Sequence, residues 1–208
     1  MKRMNVQLFG KDHEVTCWAS CGCPDATADD AGATDETRKY YLAGIPDRYI
    51  YADAYLNGND FAVANGRSVF VTGPNSSGKT YYASTLAKKL VDMKKSVMFT
   101  ESSALMRAIK ESYTEPSRVL ERAYGCDVLI LDDLGKESVT ANTLMTLFLL
   151  VNERYNAMRP MVVTSNYTRG ELAERWSEAD QSTALSIVSR LCEDSNVVQL
   201  HGRDRRVQ

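Results

Sequence analysis

Ser68-Val69-Phe70-Val71-Thr72-Gly73-Pro74-Asn75-Ser76-Ser77-Gly78-Lys79-Thr80 is the stretch on which the fold of this chain turns. Its first five residues are apolar and β-rich, which predicts a buried strand, and Gly73 to Thr80 fit the phosphate-binding spacing G-x-x-x-x-G-K-[ST]. Gly73 and Gly78 permit backbone angles closed to other residues, so successive N–H groups can turn inward around a β-phosphate. Lys79 is then placed to reach the β- and γ-phosphates, and the Thr80 hydroxyl to ligate Mg²⁺. A helix over Lys79–Met93 sets its positive N-terminal end behind the anion. Gly73, Pro74, Asn75, Ser76, Ser77, Gly78, Lys79 and Thr80 are therefore the candidate nucleotide-binding residues, with ATP and Mg²⁺ as the implied cofactors. A chance match in a Gly/Ser-rich loop is opposed by the strand before it, the helix after it and an acidic strand downstream.

That acidic strand is Asp127–Leu131, apolar and ending in Asp132-Asp133. A strand that ends in acids downstream of a P-loop is the Walker B arrangement. Asp132 would hold Mg²⁺ through water, and Asp133 would orient or polarise the attacking water. Taken alone, the pair also reads as an acidic turn before Gly135. Ser96–Thr100, Pro160–Thr164 and Asn196–Leu200 read as further strands. The strand at 160–164 ends in Ser165-Asn166, where an amide can reach the γ-phosphate or its water; a turn-forming Asn is the competing reading. Glu101–Tyr124 reads as helical with a break near Thr114-Glu115-Pro116. Thr140–Asn156 carries Leu144, Leu147, Phe148 and Val151 at helical spacing, which are core positions. Thr168–Trp176 and Ser182–Cys192 are the last helices, with Thr168 as N-cap and Glu171 three residues on.

Upstream, Met4–Phe9 and His13–Cys17 read as two short strands around a Gly10-Lys11-Asp12 turn. His13, Cys17, Cys21 and Cys23 supply four donors of the kind tetrahedral Zn²⁺ takes, in an uncommon spacing. A structural zinc site and free surface thiols both fit it. Pro24–Glu36 is acidic and nearly devoid of large apolar residues, as a linker is. The expected organisation is a small N-terminal Cys/His segment with its linker over 1–36, and an ATPase domain over 37–208. Ile45 or Tyr49 would lie near a purine ring, or would pack the domain edge. A short helix is expected near Asp53–Asn65. The 208 residues suffice for one α/β domain and a small appendage, and the net charge of −2 argues against nucleic-acid binding by bulk charge. No stretch is long and apolar enough to span a bilayer, and the N-terminus lacks a signal-peptide core, so a cytoplasmic location is expected. Cys126 and Cys192 fall in segments expected to be buried.

Taken together, G-P-N-S-S-G-K-T, L-I-L-D-D-L-G-K-E, V-V-T-S-N, S-R-L and G-R-D-R-R resemble the AAA+ ATPases of the DnaC/DnaI helicase-loader and IstB transposition-helper group. The likeness covers about Tyr40 to Arg206. It implies an α/β three-layer sandwich with a parallel sheet in the order 5-1-4-3-2, ATP-driven assembly of copies into open rings or spirals, and work on DNA or on a ring helicase. By position, Asn166 matches sensor 1, and Arg190 matches an arginine finger reaching a neighbouring subunit's γ-phosphate. Arg206 matches the sensor-2-like arginine, while Arg203 and Arg205 read as surface residues. Asp133 stands where most AAA+ proteins carry glutamate, which suits slow hydrolysis. The chain stops at Gln208, and no C-terminal helical lid is expected.

The first function this supports is an ATP-hydrolysing loader or regulator of a replicative helicase that assembles on single-stranded DNA. The basic residues Arg107, Lys110, Arg118 and Arg122, with Tyr113 and Tyr124, are the expected source of a strand-gripping groove. The second is an IstB-like helper on duplex DNA whose partner is a transposase. A small-molecule kinase and a module that holds ATP without turnover are the remaining alternatives.

Overall fold

The structure, a computed structural model, describes residues 2–8, 11–17, 35–111 and 118–201. The N-terminal hairpin pairs β1 (Lys2–Leu8) antiparallel with β2 (Lys11–Cys17). Leu8 faces Lys11, so Lys11 and Asp12 belong to the second strand and not to the turn.

The main sheet has five parallel strands: β3 (Ser68–Thr72), β4 (Val97–Glu101), β5 (Val128–Leu134), β6 (Met161–Ser165) and β7 (Ser195–Gln199). Their spatial order is β4-β5-β6-β3-β7. Counted within the domain and read from the other edge, this is the expected 5-1-4-3-2. Helices cover both faces, because alternate strand residues point to opposite sides and every central strand is apolar on both. On one face Val69, Val71, Phe99, Ile130 and Val162 pack with α3 (Lys79–Asp92) and with α2 (Asn59–Ala64). On the other, Phe70, Leu129, Leu131 and Val163 pack with α4 (Ser102–Glu111), α5 (Arg118–Gly125), α6 (Ala141–Asn156) and α7 (Arg169–Cys192). α1 (Asp35–Leu42) and a 3₁₀ turn at Asp47–Tyr49 lead into the domain.

Several bounds shift for physical reasons. The expected helix at 53–65 begins only at Asn59, after Gly58 in the left-handed region. The last two helices abut across a kink at Asp180, which has extended angles (φ −164°, ψ 106°) and whose carboxylate accepts the Thr183 N–H at 2.9 Å as a new N-cap. Thr168 and Glu171 form the capping box that their spacing predicts. Most consequential is β5. The strand does not stop at the acids but runs on to Leu134, and its pairing with β6 slips between Leu131 and Leu134. Asp132 and Asp133 sit inside that bulge, a feature that re-aims side chains.

Among the described residues, no helix is long and apolar enough to cross a membrane. Cys126 is buried and Cys192 half-buried.

Candidate nucleotide-binding site

The parallel sheet places the C-terminal ends of β3, β5 and β6 side by side, so the loops that follow them converge. After β3 the chain turns at Gly73, where a Cβ would lie 2.4 Å from the Leu200 carbonyl oxygen and 2.8 Å from Ser77 Oγ. No side chain fits there. Gly78 (φ +98°) is the N-cap of α3, with Ser76 also left-handed at φ +60°. Among the described residues, the hydroxyls of Ser76 and Ser77 are buried without a hydrogen-bond partner. Buried polar groups are nearly always paired, so two orphans in a loop of this spacing fit a phosphate ligand.

Lys79 is buried, and its ammonium donates to the carbonyls of Gly73 (2.9 Å) and Pro74 (2.8 Å). Burial pulls its pKa below the ordinary lysine value, and Asp133 and Asp132 push in the opposite direction. The charge therefore sits at the centre of the loop with little competing hydration. Thr80, one residue on, donates to Asp132 at 2.9 Å (Oδ2) and 3.2 Å (Oδ1). The two expected Mg²⁺ ligands thus touch across 52 residues of sequence. Magnesium takes few protein oxygens and keeps several waters beside the phosphates, which a hydroxyl and one carboxylate can serve. Among the described residues, no group of three or more His, Cys, Asp or Glu is placed to hold a metal.

Asp132 is buried and carries its proton more readily than an ordinary carboxyl: burial raises its pKa most, with the Asp133 charge adding, while the Thr164 and Thr80 hydroxyls lower it. Asp133 is half-buried with φ +58°. Its Oδ2 pairs with Lys136 Nζ at 2.6 Å. Gly135 (φ +97°) makes the next turn, where a Cβ would meet Leu172 Cδ2 at 2.7 Å and Tyr167 Cδ2 at 2.8 Å. Glu137, buried, closes the loop by accepting from Gly135 N–H (3.0 Å) and Ser102 Oγ (3.1 Å).

Asn166 follows β6 directly, and its Oδ1 is buried without a partner among the described residues. Ser165 beside it donates to the Leu134 carbonyl at 2.6 Å, and Thr72 donates to the Tyr167 carbonyl at 3.0 Å. These bonds tie the ends of β3, β5 and β6 together around the site.

Other expected residues lie elsewhere. Arg190 is held against α6: Nε donates to Asn152 Oδ1 (2.9 Å), a terminal nitrogen donates to the Ser186 carbonyl (3.1 Å), and the guanidinium lies 5.1 Å from the Phe148 ring centre. It makes no hydrogen bond within its own P-loop or to the β5 acids. Arg206 lies outside the described residues, with Arg203 and Arg205. So do Cys21 and Cys23, along with the side chains of His13 and Cys17, and with them the zinc site. Ile45 is buried in the core cluster that includes Phe99, while Tyr49 stands edge-on to Tyr81 of α3 at 6.2 Å. The residues expected to grip a DNA strand have these placements. Tyr124 packs against the core, Arg122 donates to the Leu42 carbonyl at 2.7 Å, and Tyr113 lies outside the described residues; Arg107, Lys110 and Arg118 are exposed.

Sequence reasoning passed over Thr164, Lys136 and Glu137. The signal for them was their place inside V-V-T-S-N and L-I-L-D-D-L-G-K-E, two of the stretches that carry the family resemblance.

A family model described as IstB-like ATP binding protein matches residues 39–208. The chain is 27% identical over 148 residues to a putative insertion sequence ATP-binding protein of Sinorhizobium fredii (strain NBRC 101917 / NGR234), covering 68% of this chain and 47% of that protein. It is 24% identical over 149 residues to the replicative helicase loader DnaI of Bacillus subtilis (strain 168), covering 68% and 48%. The chain thus spans about half the length of the curated relatives it matches. Among solved structures, that of DnaI superposes with a TM-score of 0.59 at 26% identity over 67% of this chain and 73% of that one. The DnaC helicase loader shares the fold, with a TM-score of 0.55 at 21% identity, over 83% and 95%.

Proposed function

The chain belongs to the IstB-like ATP-binding protein family, with an AAA+ fold, and from that premise we propose that it hydrolyses ATP to load or regulate a replicative ring helicase in the cytoplasm. The observation that carries the ATPase reading is the Thr80–Asp132 hydrogen bond, which joins the P-loop helix to the acidic strand beside a buried Lys79. Residues Gly73 to Thr80 hold the triphosphate with N–H groups and the Lys79 charge. Mg²⁺, held by Thr80 and Asp132, would offset phosphate charge as it develops. Asp133 accepts a proton or hydrogen bond from the attacking water, and Asn166 orients that water or the γ-phosphate. Arg190 of one copy acts on the nucleotide of the next, so assembly and hydrolysis are linked, and Arg206 takes the sensor-2-like role that its place in G-R-D-R-R implies.

The likeness to DnaI in sequence and structure supports the helicase-loader reading, to which we add single-stranded DNA as the assembly template. The family description and the insertion-sequence relative support a second reading, an ATPase of an insertion sequence; in that reading it is a transposition helper that assembles on duplex DNA with a transposase. ATP turnover and particle mass, measured together without DNA, with single strands and with duplex, separate them. Assembly and changed turnover with single strands are expected. Response to duplex alone would favour the transposition helper, and a monomer with DNA-independent turnover would contradict both.

A further inference from the structure

Thr164 is fully buried in β6, opposite the bulge of β5. Its hydroxyl makes two bonds at once. It donates to Asp132 Oδ1 at 2.6 Å and accepts the backbone N–H of Asp133 at 2.9 Å. The Asp133 N–H can only donate, so the hydroxyl accepts there and its one proton is left for the Asp132 carboxylate. Where the β5–β6 ladder breaks between Leu131 and Leu134, the Thr164 side chain therefore takes the place of a backbone partner. It holds Asp133 at φ +58°, a conformation a non-glycine residue keeps only when its surroundings impose it. On its other side the Asp132 carboxylate accepts from Thr80. Asp132 is thus gripped between two hydroxyls, one from the P-loop helix and one from the strand that leads into Asn166.

We propose that Thr164 is a positioning residue for Mg²⁺-ATP, aiming the Asp132 carboxylate at Thr80 and fixing the backbone turn that presents Asp133. This rests on the reading of Asp132 and Asp133 given above. Because a single hydroxyl does both, serine keeps the function and valine, matched in shape, removes it.

The test uses the full chain and its Thr164→Val and Thr164→Ser variants. Affinity for a fluorescent non-hydrolysable ATP analogue is measured with Mg²⁺ and with EDTA, beside steady-state turnover. Hydrogen bonds to charged groups at this strength set the scale at about ten- to hundred-fold. The wild type binds more tightly with Mg²⁺. In Thr164→Val that Mg²⁺-dependent gain and kcat each fall on this scale, with affinity in EDTA held within about twofold, and Thr164→Ser recovers most of the loss. Wild-type Mg²⁺ dependence and turnover in the valine variant would overturn the proposal. So would a serine variant as impaired as valine, or an equal loss of affinity with and without Mg²⁺. A wild-type chain whose nucleotide affinity ignores Mg²⁺ would defeat the metal-binding reading of Asp132 itself, and this inference with it.

Discussion

Asp133 meets two opposing demands. In the role proposed for it, engaging the attacking water, it needs a free oxygen, yet Oδ2 is bound to Lys136. That lysine is largely exposed, and an exposed ion pair is worth at most about 1 kcal/mol. The pairing therefore acts as a weak restraint on the carboxylate. Lys136→Met is expected to raise basal ATP turnover by up to about fivefold, with nucleotide affinity nearly unchanged, in a steady-state assay. A fall in turnover would show instead that the lysine charge serves the phosphate. At this scale the sequence is legible where chemistry ties residue type to fixed local spacing, as in Gly73 to Thr80 and Asp132-Asp133. It gives Lys136 and Thr164 no role, although both fall inside the quoted stretches, because their partners are set by folding, Thr164's by the register between strands 31 residues apart.

Between elements, Arg154 has the same lesson. It lies in the last turn of α6 and is completely buried, where helical periodicity leads one to expect an apolar residue or an exposed charge. Its guanidinium donates to the carbonyls of Ala123 (2.7 Å), Cys126 (3.0 Å), Asp127 (3.2 Å) and Pro160 (2.9 Å). It thereby caps the C-terminal end of α5 and joins it to the starts of β5 and β6, where a cation also suits the helix dipole. Burial lowers its pKa, with no carboxylate hydrogen-bonded to it among the described residues. Arg154→Met would leave these carbonyls unsatisfied and should destabilise the fold by about 2–4 kcal/mol, read as a lower urea midpoint. Arg154→Lys should recover less than half, since an ammonium cannot reproduce the planar fork. The sheet order itself was legible only through the family resemblance that the P-loop, acidic strand and Asn-tipped strand carry. The bulge in β5 was not: a strand pattern of apolar residues gives no sign of where its pairing slips.

For the molecule as a whole, Arg190 decides whether one copy is sufficient. It is parked on Asn152, Phe148 and Tyr155 of α6, with no hydrogen bond to the P-loop or the acids of its own chain. Arg190→Ala should leave ATP binding within about twofold while lowering turnover by about tenfold or more. Mixing it with Asp133→Asn should restore activity, because the second variant supplies the arginine and the first an intact site. No restoration would place the complete site within one chain. All of this stands on the P-loop holding Mg²⁺-ATP, and calorimetric titration of ATP with Mg²⁺ into the wild type and into Lys79→Ala tests that most directly. One nucleotide per chain in the wild type, with binding lost in the variant, is the expected result. Equal affinity in the two would contradict the nucleotide site from which the function is inferred.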